Sequence, residues 1–452
     1  MSTVKGTLTE GSILRVLTKL SMPIVIAAFF STAYSITDMA WIGKLGGDVI
    51  AGVGTGGMYV WLSSGHIALS RMGGQVLVAQ ELGRGNRESA IKYAAETIRL
   101  TIFSGILFGA VCLFFTDGLI GFYGLDSSAA IEAAKIYIKI VCGLIIFSYM
   151  AQVLTGLVTA QGDSRTPMIA NFIGLTTNMV LDPVLIFGVG PFPEMGTTGA
   201  SIATVAAQVI VVLVMLIHVV RDKNGNILKE VKVLERTDRK YRNHIIKMGY
   251  PSAVQSMVYC GISMVLSRMV SDFGDVVIGV FRVGGQFESI SWNVANGFSS
   301  AMNAFAAQNF GAGRMDRVKR GYRVSFITTV VWGGLVTFLM VVFPAQISSL
   351  FFHTANEIRV CSNYMIIVGL SQIFMCVELM SVGAISGLGN TKICSVISVV
   401  FTVIRIPIAF FLCATSLAEN GLWWALTISS VLKGLIFWVT FHRESNKLIR
   451  RQ

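Results

Sequence analysis

Long apolar stretches recur along almost the whole chain and constrain its fold more than any other feature. Each holds at least about 18 largely apolar residues, enough for a helix to cross the roughly 30 Å hydrocarbon core of a bilayer. We therefore predict an all-α integral membrane protein with twelve transmembrane helices. They are expected at 15–42, 49–79, 93–115, 129–158, 167–189, 198–220, 246–271, 277–307, 321–344, 357–386, 393–414 and 420–440.

The composition agrees with a membrane protein and indicates its orientation. Only 13% of the residues are charged, whereas soluble domains carry about 25%. An even number of spans puts both termini on one side, and most of the 36 lysines and arginines fall on that side. The positive-inside rule then predicts cytoplasmic termini and a location in the cytoplasmic (inner) membrane. The lysines and arginines that fall opposite are Lys44, Lys135, Lys139 and Arg359.

Several other classes of protein are disfavoured by the same residues. The basic residues are scattered among short loops, where lipid headgroups attract them, so we expect no nucleic acid partner. The seven cysteines lie singly in apolar segments without a Cys-x-x-Cys motif, and we expect no cofactor or structural metal. The N-terminus lacks a small-residue cleavage site, so we expect no removable signal peptide.

The chain also contains an internal repeat. Ala79–Gly85 reads AQELGRG, and Ala307–Gly313 reads AQNFGAG 228 residues later. Pro23 and Pro251 are separated by the same interval. Six spans per repeat is an even number, so the two halves have the same orientation and a pseudo-two-fold axis along the membrane normal. Transporters of this design bind their substrate between the halves.

The most polar internal stretch lies near the midpoint of the chain and divides the two repeats. We predict an N-lobe at 1–220 with spans 1–6 and a cytoplasmic linker at 221–245. A C-lobe with spans 7–12 and a short cytoplasmic tail follows at 246–452.

Two aspartates lie within spans of the first half without acidic counterparts in the second. Asp38 falls late in span one and Asp182 late in span five, at similar depth. A carboxylate inside a bilayer costs at least about 2.5 kcal/mol and normally faces a cavity or a partner. The residues at matching positions, Leu266 and Ala409, carry no charge. We expect the two carboxylates to meet, where they are able to share a proton.

Neighbouring groups would complete a pocket of oxygen ligands for a proton or a sodium ion. Asn178 precedes Asp182 by four residues and shares its helix face. Thr204 in span six lies at matching depth, and Pro183 leaves a backbone carbonyl without its usual donor. Two other interpretations remain open: Asp182-Pro183 is a helix-ending turn at the outer rim, or Asp38 is hydrated at the surface near Lys44.

The second half offers weaker candidates. Glu378 lies near the middle of span ten and Glu288 in span eight, and we interpret Glu288 and Arg282 as a structural ion pair. Together with Met257 and Gln286, the two glutamates are candidates for the wall of a substrate cavity, because methionine-rich surfaces accommodate varied ligands.

These motifs together resemble the multidrug and toxic compound extrusion (MATE) family over essentially the whole chain. The resemblance is carried by Pro23, Tyr34 and Asp38 in span one and by the repeated Ala-Gln-x-x-Gly-x-Gly. It is also carried by Gln161-Gly-Asp-Ser-Arg-Thr-Pro167, Asn178-x-x-x-Asp182-Pro183 and Gly199-Ala-x-x-Ala-Thr204. The sequence looks closest to the DinF-like branch of that family.

The resemblance implies an antiporter that exports organic cations and other amphipathic compounds in exchange for protons or sodium ions. In the DinF-like branch, the positions matching Asp38, Asn178, Asp182 and Thr204 form the cation site. Tyr34 and the backbone at Ala200 are adjacent, and Pro23 lies at a bend, with Pro183 as a second candidate bend.

The NorM-like branch resembles this chain less. That branch has a glutamate in span seven, where this sequence reads Ser256-Met-Val-Tyr259-Cys, and an aspartate in span ten near Met375. A cation site in the C-lobe is therefore not expected, although Glu378 lies one turn beyond Met375.

Two alternatives to the antiporter are less consistent with the sequence. A flippase for lipid-linked oligosaccharides or lipids would need a strongly cationic cavity, and interior arginines are few. An enzyme is not expected, because no His-Glu-x-x-His, Gly-x-Ser-x-Gly or Gly-x-Gly-Asp motif occurs in the spans. The expected partners are the bilayer and small amphipathic or cationic substrates, and the chain is expected to be a monomer.

Overall fold

A computed structural model of the protein describes residues 8–125, 127–222, 225–235 and 237–450. The described residues form helices and connecting turns and contain no β-strand. The helices of the first half are α1 (Ile13–Gly43), α2 (Gly47–Gly83), α3 (Arg87–Phe114), α4 (Thr116–Gly121), α5 (Ser128–Tyr137), α6 (Ile146–Ala160), α7 (Arg165–Phe187) and α8 (Gly196–Arg221). Those of the second half are α9 (Arg239–Ser271), α10 (Asp275–Gly311), α11 (Met315–Val342), α12 (Pro344–Ser349), α13 (Ala355–Gly369), α14 (Gln372–Gly387), α15 (Thr391–Val403), α16 (Arg405–Cys413) and α17 (Asn420–Ile449).

The helices account for the twelve predicted spans within the described residues. Eight spans are apolar and long enough to cross a membrane. Two more are bent pairs: α5, extended by a π-helical turn at Ile138–Cys142, meets α6 at 46°, and α13 meets α14 at 45°. The remaining two are α2 and α10, each 37 residues long, which lie outside that set of apolar spans. The all-helical, multi-pass fold class is confirmed.

The repeat seen in the sequence is present in the secondary structure. Helix α10 begins 228 residues after α2, and the short helix α12 begins 228 residues after α4. The two bent spans also occupy matching places in the two halves. The duplication therefore extends to the irregular features and is not limited to the apolar spans.

The described residues divide into two compact units that differ from the predicted lobes at the first helix of each repeat. Within the described residues, unit 1 contains 26–253 and unit 2 contains 8–25 and 254–450. Both α1 and α9 change unit two residues after a proline, Pro23 and Pro251 respectively. In this division the start of each repeat packs with the other half of the sequence, and the lobe boundaries at 220 and 246 stay a prediction.

Close helix packing in unit 1 depends on glycines at contact points. The backbone of Gly249 in α9 lies against the carbonyl of Leu69 in α2, leaving no room for a Cβ atom. A Cβ at Gly199 in α8 would lie 2.5 Å from the carbonyl oxygen of Leu185 in α7. Small residues of this kind let membrane helices approach closely. Helices α7 and α8 are thereby held together at the depth of the candidate site.

Side chains of unit 2 hold the segment that precedes α1 through hydrogen bonds to the backbone of that segment. Gln308 accepts from the amide of Leu8 at 2.9 Å, and Asn309 donates to the carbonyl of Leu8 at 3.1 Å. Arg314 donates to the carbonyl of Thr9 at 2.6 Å, and Arg317 reaches the carbonyl of Gly11 at 2.8 Å. Side chains of α1 then join the apolar core between α10, α11, α14 and α17.

Candidate functional site

Asp182 lies inside a continuous helix and is completely buried. Helix α7 runs through Pro183 to Phe187, and Gly188, with φ of 69°, ends it in the left-handed conformation. Asp182 is 0% and Asn178 1% exposed. The interpretation of Asp182-Pro183 as a helix-ending turn at the rim is therefore wrong, because the helix has one more turn and the carboxylate faces the protein interior.

The structure brings Asp38 of α1 next to Asp182. The two carboxyl groups lie close enough to share a proton. Asp38 is partly accessible, yet its Oδ1 atom is buried. The nearby ammonium of Lys44 lies over the Trp41 ring at 4.3 Å from its centroid, and no ion pair links it to Asp38. Because Asp38 is partly accessible, its hydration near Lys44 stays an open alternative.

Tyr34 connects the carboxylates to α8. Its hydroxyl lies beside the Thr204 hydroxyl and in the electrostatic field of both aspartates. Thr204 in turn donates to the carbonyl of Ala200 at 3.0 Å. Four of the predicted site residues therefore converge from three helices, and the backbone at Ala200 is tied to them through Thr204.

The carboxylate pair carries polar atoms that the described protein does not satisfy. Oδ1 of Asp38, both carboxylate oxygens of Asp182 and both side-chain polar atoms of Asn178 are buried without a hydrogen-bond partner. As ionised carboxylates, Asp38 and Asp182 have no hydrogen to donate to each other. Leaving buried polar atoms unpaired costs free energy. The arrangement therefore fits a proton or a small hard cation between the oxygens.

Sequence reasoning missed one residue of this site. Tyr137, at the end of α5, lies within electrostatic reach of Asp38 and Tyr34. Its ring packs against Gly56 of α2, where a Cβ atom would lie 2.7 Å from the ring. A tyrosine in an amphipathic span does not by itself indicate a functional residue. Only the folded structure places Tyr137 beside the carboxylates.

Unit 2 contains a second group of buried charges, with a different arrangement. Glu378 of α14 and Lys433 of α17 form an ion pair at 2.9 Å, with side chains only 8% and 5% exposed. Lys433 was missed in the sequence because a single lysine hardly alters an apolar span. The carboxylate of Glu378 is thereby neutralised inside the protein.

The predicted ion pair between Glu288 and Arg282 is wrong. Glu288 instead accepts a hydrogen bond from the Tyr364 hydroxyl at 3.3 Å, and its neighbouring positive charges are Arg405 and Lys433. Arg282 is exposed on another face of α10. The six-residue separation explains the difference, because residues three or four apart share a helix face and residues six apart do not.

Helices α9 and α10 both carry exposed side chains, which on α9 point to opposite sides because Met257 and Tyr259 are two residues apart. Met257 is 42% and Tyr259 38% exposed in α9, and Gln286 is exposed in α10. On α10 the half-buried polar residues Ser289 and Asn293 follow Gln286 at helical spacing. Polar side chains inside a span normally face a partner or a cavity and not lipid, so the α10 stripe fits a cavity wall.

Together, the duplicated six-span repeat and the buried charges within its spans define a membrane transporter. The MatE family model matches residues 23–184 and again 251–411, once in each repeat. The chain belongs to the MatE family of transporters and is not an enzyme.

Curated relatives span almost the whole chain. The probable multidrug resistance protein NorM of Thermotoga maritima is 25% identical over 442 residues, which are 96% of this chain and 94% of the relative. The probable multidrug resistance protein YoeA of Bacillus subtilis is 24% identical and covers 91% of this chain and 90% of its own length. An FAD transporter of Shewanella oneidensis is 24% identical over 78% of each chain.

Solved structures share the fold at low sequence identity. An outward-facing multidrug resistance MATE family transporter has a TM-score of 0.91 with 20% identity and full coverage of both chains. A MOP superfamily transporter from Pyrococcus furiosus, described as having reversed polarity in its binding pocket, has a TM-score of 0.90 with 18% identity and covers 99% of each chain. The assignment to the DinF-like branch stays a prediction.

Proposed function

We propose that this transporter is an antiporter that exports organic cations and other amphipathic compounds in exchange for protons or sodium ions. The observation that carries the proposal is the pair of buried carboxylates, Asp38 and Asp182, whose oxygens lack hydrogen-bond partners. The names of the NorM and YoeA relatives, which denote probable multidrug resistance proteins, support drug export.

The coupling ion binds between Asp38 and Asp182 in this proposal. A proton would join the two carboxyl groups directly, whereas a sodium ion would also use the oxygens of Asn178 and Thr204. Tyr34 orients the Thr204 hydroxyl, and the carbonyl of Ala200 is a further hard oxygen ligand. Oxygen-only ligand sets of this kind suit hard cations.

Ion binding drives transport by changing the balance between outward-facing and inward-facing states. An ion shifts that balance only as far as its affinity for one state exceeds its affinity for the other. Bending of α1 at Pro23 and of α7 at Pro183 would alter the distance between Asp38 and Asp182, since proline weakens a helix at the preceding turn. The ion then binds tightly in one state and leaves in the other.

The substrate would lie against the polar stripe of α10 and the exposed side chains of α9. Met257, Gln286 and Glu288 would contact it, while Glu378 remains paired with Lys433. We place the protein in the cytoplasmic membrane as a monomer with both ends in the cytoplasm, although the terminal residues 1–7 and 451–452 lie outside the described part of the chain.

Fluorescent-cation efflux from proteoliposomes, with proton and sodium gradients imposed separately, tests this function. The wild type is expected to export under one of the gradients, and Asp38→Asn to lose that export while remaining folded in the membrane. Asp117→Asn is the control, since Asp117 is 85% exposed in its pair with Lys135 outside the site. Unaltered efflux by Asp38→Asn would refute the assignment.

A further inference from the structure

Arg405 in unit 2 is a buried cation whose observed hydrogen-bond partners are neutral. Its Nε atom donates to the Ser429 hydroxyl at 2.9 Å, and Nη2 donates to Ser430 at 3.3 Å. The Tyr259 hydroxyl lies beside the same guanidinium. Arg405 is only 8% exposed, and among the described residues no carboxylate forms an ion pair with it. Buried guanidinium groups normally have an anionic partner, because their desolvation is costly.

The charged side chains near Arg405 have other partners, which leaves its guanidinium group available to bind an anionic ligand. Lys433 and Glu378 neutralise each other at 2.9 Å. Glu288 interacts electrostatically with Arg405, but its hydrogen bond is to Tyr364 at 3.3 Å. The cluster therefore contains one positive and one negative side chain that are not in direct contact with an opposite charge. Such a separated pair is complementary to a ligand that carries both charges.

Tyr259 gives this cluster access to the polar face of α9. Its side chain is 38% exposed although its hydroxyl lies beside the buried Arg405. Ser256 and Ser263 precede and follow it at three and four residues, on the same helix face. A ligand lying along this face would meet Tyr259 first and the guanidinium behind it.

We propose that Arg405 recognises an acidic group, a carboxylate or a phosphate, on the compounds that this protein transports. The preferred substrates are then amphiphiles that carry an acidic group in addition to the cationic one. A guanidinium fits carboxylate and phosphate geometry through parallel N–H donors, and such charge-assisted bonds are about twice as strong as neutral ones. This inference rests on the proposed export function for its physiological meaning, whereas the binding itself requires no ion gradient.

The test compares two dyes that differ in a single group: a rhodamine with a free benzoic acid and the methyl ester of the same dye. Fluorescence anisotropy measures the binding of each dye to purified, detergent-solubilised protein. In Arg405→Gln, the dissociation constant of the acid dye is expected to rise about 10- to 100-fold, the usual effect of losing a charge-assisted hydrogen bond. The ester is expected to bind within about threefold of wild type, a difference under 1 kcal/mol.

Two further variants separate recognition from structure. Arg405→Lys keeps the charge and loses the planar fork, so its affinity for the acid dye is expected to lie between those of wild type and Arg405→Gln. Arg268→Gln removes an exposed arginine of α9 that pairs with Asp272 at 2.7 Å, and both dyes are expected to bind it as they bind wild type. If Arg405→Gln is poorly folded, Arg405→Lys carries the test alone through the ratio of the two dissociation constants.

Equal weakening of both dyes in the folded Arg405 variants, or no weakening of the acid dye, would overturn this inference. Failure of the proposed function looks different. In that case the Arg405 variants change the dissociation constants of the two dyes as expected, but neither a proton nor a sodium gradient drives efflux of the dyes from proteoliposomes containing the wild type.

Discussion

Units 1 and 2 are built from the same repeat, yet their buried charged side chains are arranged differently. Unit 1 places Asp38 and Asp182 side by side with no cationic side chain bound to either. Unit 2 places Glu378 against Lys433 and adds Glu288 and Arg405, so its four charges cancel. Unpaired carboxylates need an external positive charge, whereas Glu378 and Lys433 neutralise each other and Arg405 and Glu288 stay separated. Under the proposed function, unit 1 exchanges the coupling ion, and the charges of unit 2 belong to its framework and to substrate recognition.

The largest expected effect tests the carboxylate pair of unit 1. Asp182→Asn is expected to abolish gradient-driven export, because the remaining carboxylate alone no longer holds the ion. The thermal stability of the detergent-solubilised variant should equal or exceed that of wild type, since a buried charge without a partner is removed. Efflux and melting temperature check the two expectations. Normal export, or export lost together with the fold, would contradict them.

The opposite stability effect is expected for the ion pair of unit 2. Glu378→Met or Lys433→Met leaves a buried charge without its partner, which costs about 3–5 kcal/mol in other proteins. Each single variant should therefore melt at a clearly lower temperature than wild type, as measured by thermal unfolding in detergent.

The double variant Glu378→Met/Lys433→Met supplies the control for that pair. Replacing both partners with apolar residues of similar volume is often neutral, so stability should return close to the wild-type value. Additive destabilisation in the double variant would show that the two side chains do not act as a pair, and the contrast between the units would then fail.

A smaller loss of stability is expected from a substitution where α9 crosses α2. Gly249→Ala would place a methyl group against the carbonyl of Leu69, and overpacking of this kind costs about 1–3 kcal/mol. The matching position in the first repeat is Ser21, which already carries a side chain in unit 2. Ser21→Ala should therefore be nearly neutral in the same melting experiment. Equal effects of the two variants would contradict the difference in packing.

The smallest effect concerns the segment that precedes α9. Arg99 of α3 donates to the carbonyl of Val233 at 2.5 Å and also contacts Glu235 and Thr237. Arg99→Lys loses the guanidinium fork at a cost of about 1 kcal/mol. Chymotrypsin should then cut after the fully exposed Leu234 about fivefold faster, while the segment before α1 stays unaffected. An unchanged cleavage rate would show that Arg99 does not hold this segment.

Much of the fold follows from the sequence because hydropathy and repetition are strong signals. Span six was predicted at 198–220 and is Gly196–Arg221, and span one at 15–42 is Ile13–Gly43. Local breaks were not predicted: span ten is divided between Gly369 and Gln372, and span eleven between Val403 and Arg405. Such breaks depend on tertiary contacts, which hydropathy does not report.

The residues of the two candidate sites could be predicted to different degrees, because hydropathy does not report tertiary contacts. Asp38, Asn178 and Asp182 are conspicuous in apolar spans, and helical spacing places Asn178 and Asp182 on one face. Lys433 was not predictable because its partner, Glu378, lies more than 50 positions away in the chain. Tyr137 was not predictable because it lies near Asp38, which is more than 90 positions away. The change of unit at Pro23 and Pro251 likewise depends on long-range packing.

Ion release on substrate binding tests the exchange at Asp38 and Asp182 most directly. A fluorescent cation is added to the purified protein in weakly buffered detergent solution, and released protons and sodium ions are measured with a pH indicator and a sodium-sensitive dye. We predict release of close to one ion per bound cation from wild type and from the Glu378→Met/Lys433→Met double variant, and none from Asp38→Asn. Substrate binding without ion release from wild type, or undiminished release from Asp38→Asn, would contradict the account.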